Sequence, residues 1–448
     1  MSSDLPLAAD NQPASHSTAK GTPVVALPPG YRWRLLALLT LVYASHSMDR
    51  SVTSIVLELI KREFHLSDGQ AGILGGLAHG VAFCLFVIPV GWIADRGNRR
   101  NLLACLLALW SGITLLGAFA RSYAALVLVR FGVGAAESGG APVAMSMLGD
   151  VFTPRERPMA VGFLYVGLAI GQGFIFFVGG YIAQWAGWRW VYAIAGIPGI
   201  IIAIALFAFA RETVRGGSDQ APQTSAPSPA PTTVFAYMVR HPALMLIAFG
   251  ASCCSMASNI TWVWMASLMI RSHHMTIGTA GLVLAIAGGI GSGVGSLASG
   301  PISSWIARKG IERLGYVAGV VALLGTPLGM GAIFSPDTSV AVACILGLGV
   351  MLGAWLPPAF GLALGLAPSQ MRASVMSVIQ LGSNFFALAV GPVLVGLLSD
   401  HIGGDRSLLY AMGLVFSVMF VASISFFLAG FKARGLVADA PVAGIAAH

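Results

Sequence analysis

Apolar runs of about twenty residues, separated by short polar breaks, repeat from near residue 33 to near residue 431. A helix rises about 1.5 Å per residue, so a run of that length crosses a hydrocarbon core. The pattern predicts about twelve spans, near 33–61, 71–94, 101–121, 123–149, 157–186, 189–210, 242–271, 277–307, 314–335, 338–366, 371–400 and 407–431. Barrel strands would be shorter and would alternate with period two, which these runs do not. Between the sixth and seventh runs, Arg211 to His241 contains GGSDQAPQTSAPSPAPTT, a composition that cannot build a core and reads as a linker. The expected order is a tail 1–32, a six-helix bundle 33–210, the linker 211–241, a second six-helix bundle 242–431 and a tail 432–448. The fold class is therefore an all-α membrane protein of two pseudo-symmetric halves.

The two halves echo each other. Phe152 to Arg157 before the fifth span is mirrored by Ala367 to Arg372 before the eleventh, and Pro142 is matched by Pro357. A common offset of 215 residues, taken from Pro142 and Pro357, argues for a duplication with a substrate site near the midplane between halves.

Composition agrees with the pattern. Charged residues make up 9% of 448 and hydrophobic residues 56%, whereas a soluble domain carries about 25% charged residues. A surface so poor in charge excludes an ordinary soluble enzyme, a disordered tail or a secreted disulfide scaffold. Cys84, Cys105, Cys253, Cys254 and Cys344 all sit in apolar runs and read as buried small residues, without a metal constellation. The net charge of +8 comes without a basic tract, so nucleic acid is not an expected partner. The first 30 residues hold no apolar stretch of the signal-sequence kind.

Seventeen cations, among them Lys20, Arg32, Arg96, Arg99, Arg100, Arg157, Arg240, Arg308, Arg372 and Arg434, fall on one side of the spans. Only Lys61, Arg62, Arg121, Arg189, Arg271 and Arg406 fall on the other. By the positive-inside rule, both termini and the linker are expected in the cytoplasm.

Gly91, Asp95, Arg96, Asn98, Arg99 and Arg100, between the second and third spans, resemble the signature loop of the major facilitator superfamily. The resemblance covers nearly the whole chain and implies gating by Gly91, Asp95, Arg96, Arg99 and Arg100. A small residue would allow close helix contact, the acid would pair with a helix end or the other half, and Asn98 would tolerate left-handed geometry. The equivalent loop of the second half has Ser304 where an acid is expected. Ser47-Met-Asp49-Arg50, Asp95 to Arg99, and Arg130 to Glu137 further resemble the spinster-like branch, known for sphingolipid and lysophospholipid transport. The anion:cation symporter branch, which handles sugar acids, shares an acid–arginine pair in the first span. A bacterial-type inner membrane location is implied by the resemblance.

Ionisable groups at membrane depth cost about 2.5–3.5 kcal/mol each, so each needs a reason. Asp49 in the first span and Arg130 and Glu137 in the fourth lie at depths that bracket one another. Arg130 and Glu137 stand two turns apart on one face, with Gly134 between them leaving room for a partner or substrate. Asp49 and Glu137 are the candidate proton-coupling groups. Arg130, together with Arg50, is the candidate substrate site for an anionic head group. The alternative is a static salt-bridge network among Asp49, Arg130 and Glu137. Glu58, Lys61, Arg62 and Glu63 read as a solvated rim, and His79 either as a proton relay or as a helix-contact histidine.

At the same offset, Arg130 maps to Ile345 and Glu137 to Leu352. The second half instead offers Asn259, Trp262, Trp264, Gln380, Asn384 and the Trp355–Pro358 kink, a wall suited to an amphiphile's tail. No phosphate-binding loop, cofactor motif or catalytic constellation is present, so the driving force is expected to be a proton gradient and the protein is not read as an enzyme. The expectation is a monomeric proton-coupled secondary transporter for an amphiphilic anion or lipid. Symport of a small organic acid, export of hydrophobic drugs and a non-transporting lipid-binding sensor are the alternatives.

Overall fold

The computed structural model describes residues 30–153, 156–213, 231–368 and 371–438. Within them, eleven helices are long and apolar enough to cross a membrane. They are span 2 (Asp68–Ala94), span 3 (Arg99–Gly117), span 4 (Tyr123–Val151), span 5 (Met159–Ala186), span 6 (Trp188–Phe209), span 7 (Pro242–Ser272), span 8 (Ile277–Ala307), span 9 (Arg313–Phe334), span 10 (Thr338–Leu366), span 11 (Ser374–Ile402) and span 12 (Ser407–Arg434). Span 1 (Tyr31–Phe64) is 34 residues long and is interrupted by Asp49, Arg50 and Glu58, which lower its hydropathy. Twelve helices in two sets of six result, with no strand among the described residues. The end of the stretch read as linker, Pro231–Arg240, is itself a helix that buries Val234 and Met238 and exposes Phe235 and Val239. Residues 214–230 of that stretch lie outside the described residues.

Helix starts follow ordinary capping chemistry. Ser67 and Gln70 form a capping box at the head of span 2, while Asn98, Ser122, Thr276 and Asp337 accept backbone N–H groups at the heads of spans 3, 4, 8 and 10. Asn98 has an extended backbone, φ −78°, so it is present as a cap and not for left-handed geometry.

The duplication reaches the hydrogen bonds. Arg157 Nε donates to the carbonyl of Phe152 and Arg372 Nε to that of Ala367, the same contact in each half. Span 4 breaks at Ser138–Gly139, ahead of Pro142, and span 10 breaks at Trp355, ahead of Pro357. Proline removes a helical N–H and crowds the preceding turn, which accounts for both breaks. Spans 2, 8 and 11 each contain a π-helical segment, at Ile73–Leu77, Ala285–Gly291 and Phe385–Val390. Such segments often mark functional stretches of helix.

The bundles close on each other at the Asp68 end. A Cβ on Gly76 would lie 2.4 Å from the carbonyl oxygen of Leu388, and one on Gly80 2.6 Å from the amide of Ala389. Only glycine lets spans 2 and 11 approach so closely. Above this contact sits a charged cluster that overturns the reading of Glu58 and Lys61 as a solvated rim. Glu58 and Asp68 are buried at 6% and 4% exposure. Arg271 of the second bundle donates to Glu58 at 2.9 Å and to Asp68 at 2.9 and 3.1 Å, and Lys61 also pairs with Asp68. Asp400 accepts from Ser67 Oγ and from the backbone N–H groups of Asp68 and Gly69, capping span 2 from across the interface. Charges in a protein-lined interface must be paired, and here the pairs bridge the two halves. Glu63 does keep to the rim, paired with the half-exposed Arg189.

Candidate functional site

Span 1 presents Arg50 and Ser54 to the interface one and two turns after His46. These residues, with Ser47 and Ser51, line a cavity of about 300 Å³ between the bundles. His79 of span 2, Arg130 of span 4 and Gln172 of span 5 complete the first bundle's wall. The second bundle contributes Ser255, Ser258, Asn259 and Trp262 from span 7, Leu352, Trp355 and Leu356 from span 10, and Asn384 from span 11. Leu352, at the repeat-related position of Glu137, faces the cavity without a charge. Cations are confined to one wall, and the other mixes indole and aliphatic groups with hydroxyls and amides. Of the residues expected on that wall, Trp264 is instead buried, donating to the carbonyl of Pro392 at 3.0 Å, and Gln380 does not line the cavity.

The two arginines are held without a carboxylate. Arg130 is 2% exposed and donates to the backbone carbonyls of Asp49 at 3.0 Å and Arg50 at 3.4 Å, while its Nε has no partner. Among the described residues no carboxylate oxygen ion-pairs within 4 Å with Arg130 or Arg50. The alternative of a static salt-bridge network among Asp49, Arg130 and Glu137 is thus not what the structure contains. The reason is rotational. Asp49 lies about 100° around the helix from Arg50, on the side away from the cavity-lining Ser47, Ser51 and Ser54. It is fully buried, accepts from Ser45 at 3.4 Å and lies beside Thr114 and Trp110.

Glu137 is also fully buried and does not line the cavity. Its Oε2 lies 3.4 Å from His79 Nε2 and 3.6 Å from His46 Nε2, and neither carboxylate oxygen makes a hydrogen bond. Gly134 explains the placement. A Cβ there would come within 2.3 Å of the carbonyl oxygen of His79, so the space read as room for a substrate admits the backbone of span 2. Arg50, Arg130 and Glu137 are therefore gathered around one cavity, and Asp49 lies behind it. Sequence reasoning missed His46, although its spacing of four from Arg50 was the available signal.

The signature loop lies at the opposite end from Arg271. Arg99 is 3% exposed and ion-pairs with Asp150 at 2.6 Å and Glu212 at 3.2 Å, with further donations to Ser146 and Thr213. Arg100 contacts the carbonyls of Phe207 and Ala210, and Arg96 stacks on Trp92 at 3.9 Å. Position 91 makes no close helix contact, since a Cβ there would meet nothing within 4 Å. The Asp95 side chain lies outside the described residues.

This architecture matches known proteins. The Major Facilitator Superfamily profile covers residues 39–392 and 247–441. An MFS-type efflux pump of Mycolicibacterium smegmatis is 25% identical over 91% of this chain and 94% of its own length. The sphingosine-1-phosphate transporter SPNS2 of Danio rerio is 24% identical over 79% of this chain and 73% of its own. A solved bacterial homolog of the human lysosomal transporter spinster, inward-facing and unoccupied, superposes with a TM-score of 0.79 at 24% identity, covering 90% of this chain and 97% of that one. The chain belongs to the major facilitator superfamily, as a multi-pass membrane transporter, not an enzyme, that resembles the spinster-like branch.

Proposed function

We propose that this transporter moves an amphiphilic anion, of lysolipid or sphingosine-phosphate type, coupled to protons and driven by their gradient without a bound cofactor. The observation that carries the reading is the pair of guanidinium groups, Arg50 and Arg130, lining a cavity with no carboxylate within ion-pairing distance. A phosphate or carboxylate head group supplies the missing charge, and charge-assisted bonds to arginine are strong when water is thin. Trp262, Trp355, Leu352 and Leu356 then receive the start of an apolar tail. The name of the SPNS2 relative, a sphingosine-1-phosphate transporter, supports an amphiphile as cargo.

Glu137 supplies the coupling. Glu137 is a buried carboxylic acid without hydrogen bonds, and a head group seated on Arg50 and Arg130 adds negative charge nearby that a proton on Glu137 offsets. Proton and anion then bind cooperatively. A proton crossing 100 mV is worth about 2.3 kcal/mol, or a roughly fifty-fold concentration bias. Asp49 belongs to this proposal as the second buried acid, positioned behind span 1. In the cell the chain sits as a monomer in the inner membrane, with its termini and the Arg99 loop on the cytoplasmic side. The polar groups on both walls support a second reading, a small organic anion without a tail.

Quenching of Trp262 and Trp355 fluorescence in the purified protein tests the binding claim. Sphingosine 1-phosphate and lysophosphatidate are expected to quench, uncharged monoacylglycerol analogues to quench weakly, and Arg130→Ala to weaken the anions roughly ten- to hundred-fold. Equal binding of charged and uncharged amphiphiles by wild type and variant would contradict the reading. Binding of short organic anions at the expense of long-chain ones would favour the second.

A further inference from the structure

Glu137 does not line the cavity, and among the described residues the basic side chains within 4 Å of its carboxylate are His46 and His79. Both rings line the cavity, and both aim Nε2 at the same oxygen, Oε2 of Glu137. His46 is the more open of the two, at 14% side-chain exposure against 2% for His79 and none for Glu137. His46 Nε2 and His79 Nδ1 are buried without hydrogen-bond partners. Two imidazoles converging on one buried carboxylate, each with spare bonding capacity, form an arrangement that helix packing alone does not require.

We infer that His46 and His79 are the proton's route between the cavity and Glu137, with His46 as the entry. This deepens the proton-coupled reading and rests on it. Water in the cavity protonates an imidazole, which then carries N–H on both nitrogens. Its Nε2 proton passes to Glu137 Oε2, leaving a neutral ring protonated on Nδ1 and a neutral carboxyl. Release runs the same steps backwards. The charged and titratable groups around this unit are Arg50 and Asp49 from span 1 and Arg130 from span 4. Span 3 faces the region with Trp110, Ser111 and Thr114, and the second bundle lines the cavity with uncharged residues only. In this arrangement the rings pass protons and Glu137 holds them.

The test is infrared difference spectroscopy on the full-length protein in proteoliposomes, following the protonated-carboxyl band after a pH jump. Loss of that band in Glu137→Gln identifies the holding group. If no band depends on Glu137 or on Asp49, the underlying proton-coupled reading fails, and a band that depends on Asp49 alone overturns the role of Glu137. If the band is Glu137's, His46→Gln combined with His79→Gln is expected to keep its amplitude and slow its rise by roughly a hundredfold. His46→Ala is expected to regain speed when imidazole buffer is added, a rescue that a purely structural role does not give. A Glu137 band rising at the wild-type rate in the double variant overturns the relay and leaves the Glu137 reading standing. Slowing without imidazole rescue in His46→Ala overturns the entry role of His46.

Discussion

Arg271 holds Asp68 through two hydrogen bonds, of 2.9 and 3.1 Å, across the boundary between the bundles. The same guanidinium reaches Glu58, so one cation of span 7 pairs with two buried acids of the first bundle, and Lys61 on Asp68 supplies the second positive charge. Moving the bundles apart at this end breaks both pairs together and strips Asp400 from the helix start that it caps. The cluster lies above Gly76 and the cavity by roughly two turns of span 2, or about 12 Å. It is a latch on the side away from the Arg99 loop.

Arg271→Ala is expected to release this latch. Removing one partner of a buried pair costs about 3–5 kcal/mol, and Lys61 remaining on Asp68 points to the lower end. That is enough to shift a two-state equilibrium by roughly a hundredfold. Spin labels at positions 65 and 401, both exposed, are expected to show a longer separation in the variant. An unchanged distance distribution would mean that the latch does not hold the closed end.

Gly76→Leu and Gly80→Leu are expected to do the same by sterics. Each added side chain would collide with the backbone of span 11 at Leu388 or Ala389. Transport is expected to fall to near background with the protein still folded, while the same labels report a persistently opened Asp68 end. Normal transport in both variants would show that the tight approach of spans 2 and 11 is dispensable.

Much of this arrangement was legible in the sequence, for physical reasons. Span positions follow from the length of apolar runs, and the repeat shows in Pro142 and Pro357 because each lacks a helical N–H and follows the break in its span. Arg50, Arg130 and Glu137 stood out because charge in a membrane is expensive. Other features were not legible. Asp49 and Arg50 are neighbours in sequence but face different directions, and only packing decides which one meets the cavity. Arg271 lies 213 and 203 positions from Glu58 and Asp68, so their pairing depends on how the halves dock. The π-helical segments in spans 2, 8 and 11 follow from tertiary contacts, to which helical periodicity is blind.

Arg99→Ala is expected to act on stability. Its guanidinium ties the head of span 3 to Asp150 at the end of span 4 and to Glu212 after span 6. Loss of this buried centre is expected to cost about 3–5 kcal/mol, seen as a lower thermal midpoint in detergent. Arg99→Lys is expected to restore little, since one ammonium cannot replace a fork that serves Asp150, Glu212, Ser146 and Thr213 together. Full restoration by lysine would show that charge alone matters at this position.

The central claim is that Glu137 couples protons to the movement of an amphiphilic anion bound at Arg50 and Arg130. Flux of labelled sphingosine 1-phosphate or lysophosphatidate in proteoliposomes, measured with and without an imposed pH gradient, tests it most directly. Wild type is expected to accumulate substrate only when the gradient is present. Glu137→Gln is expected to bind and exchange substrate but to lose gradient-driven accumulation. Accumulation that keeps its full dependence on the pH gradient in Glu137→Gln would contradict the account.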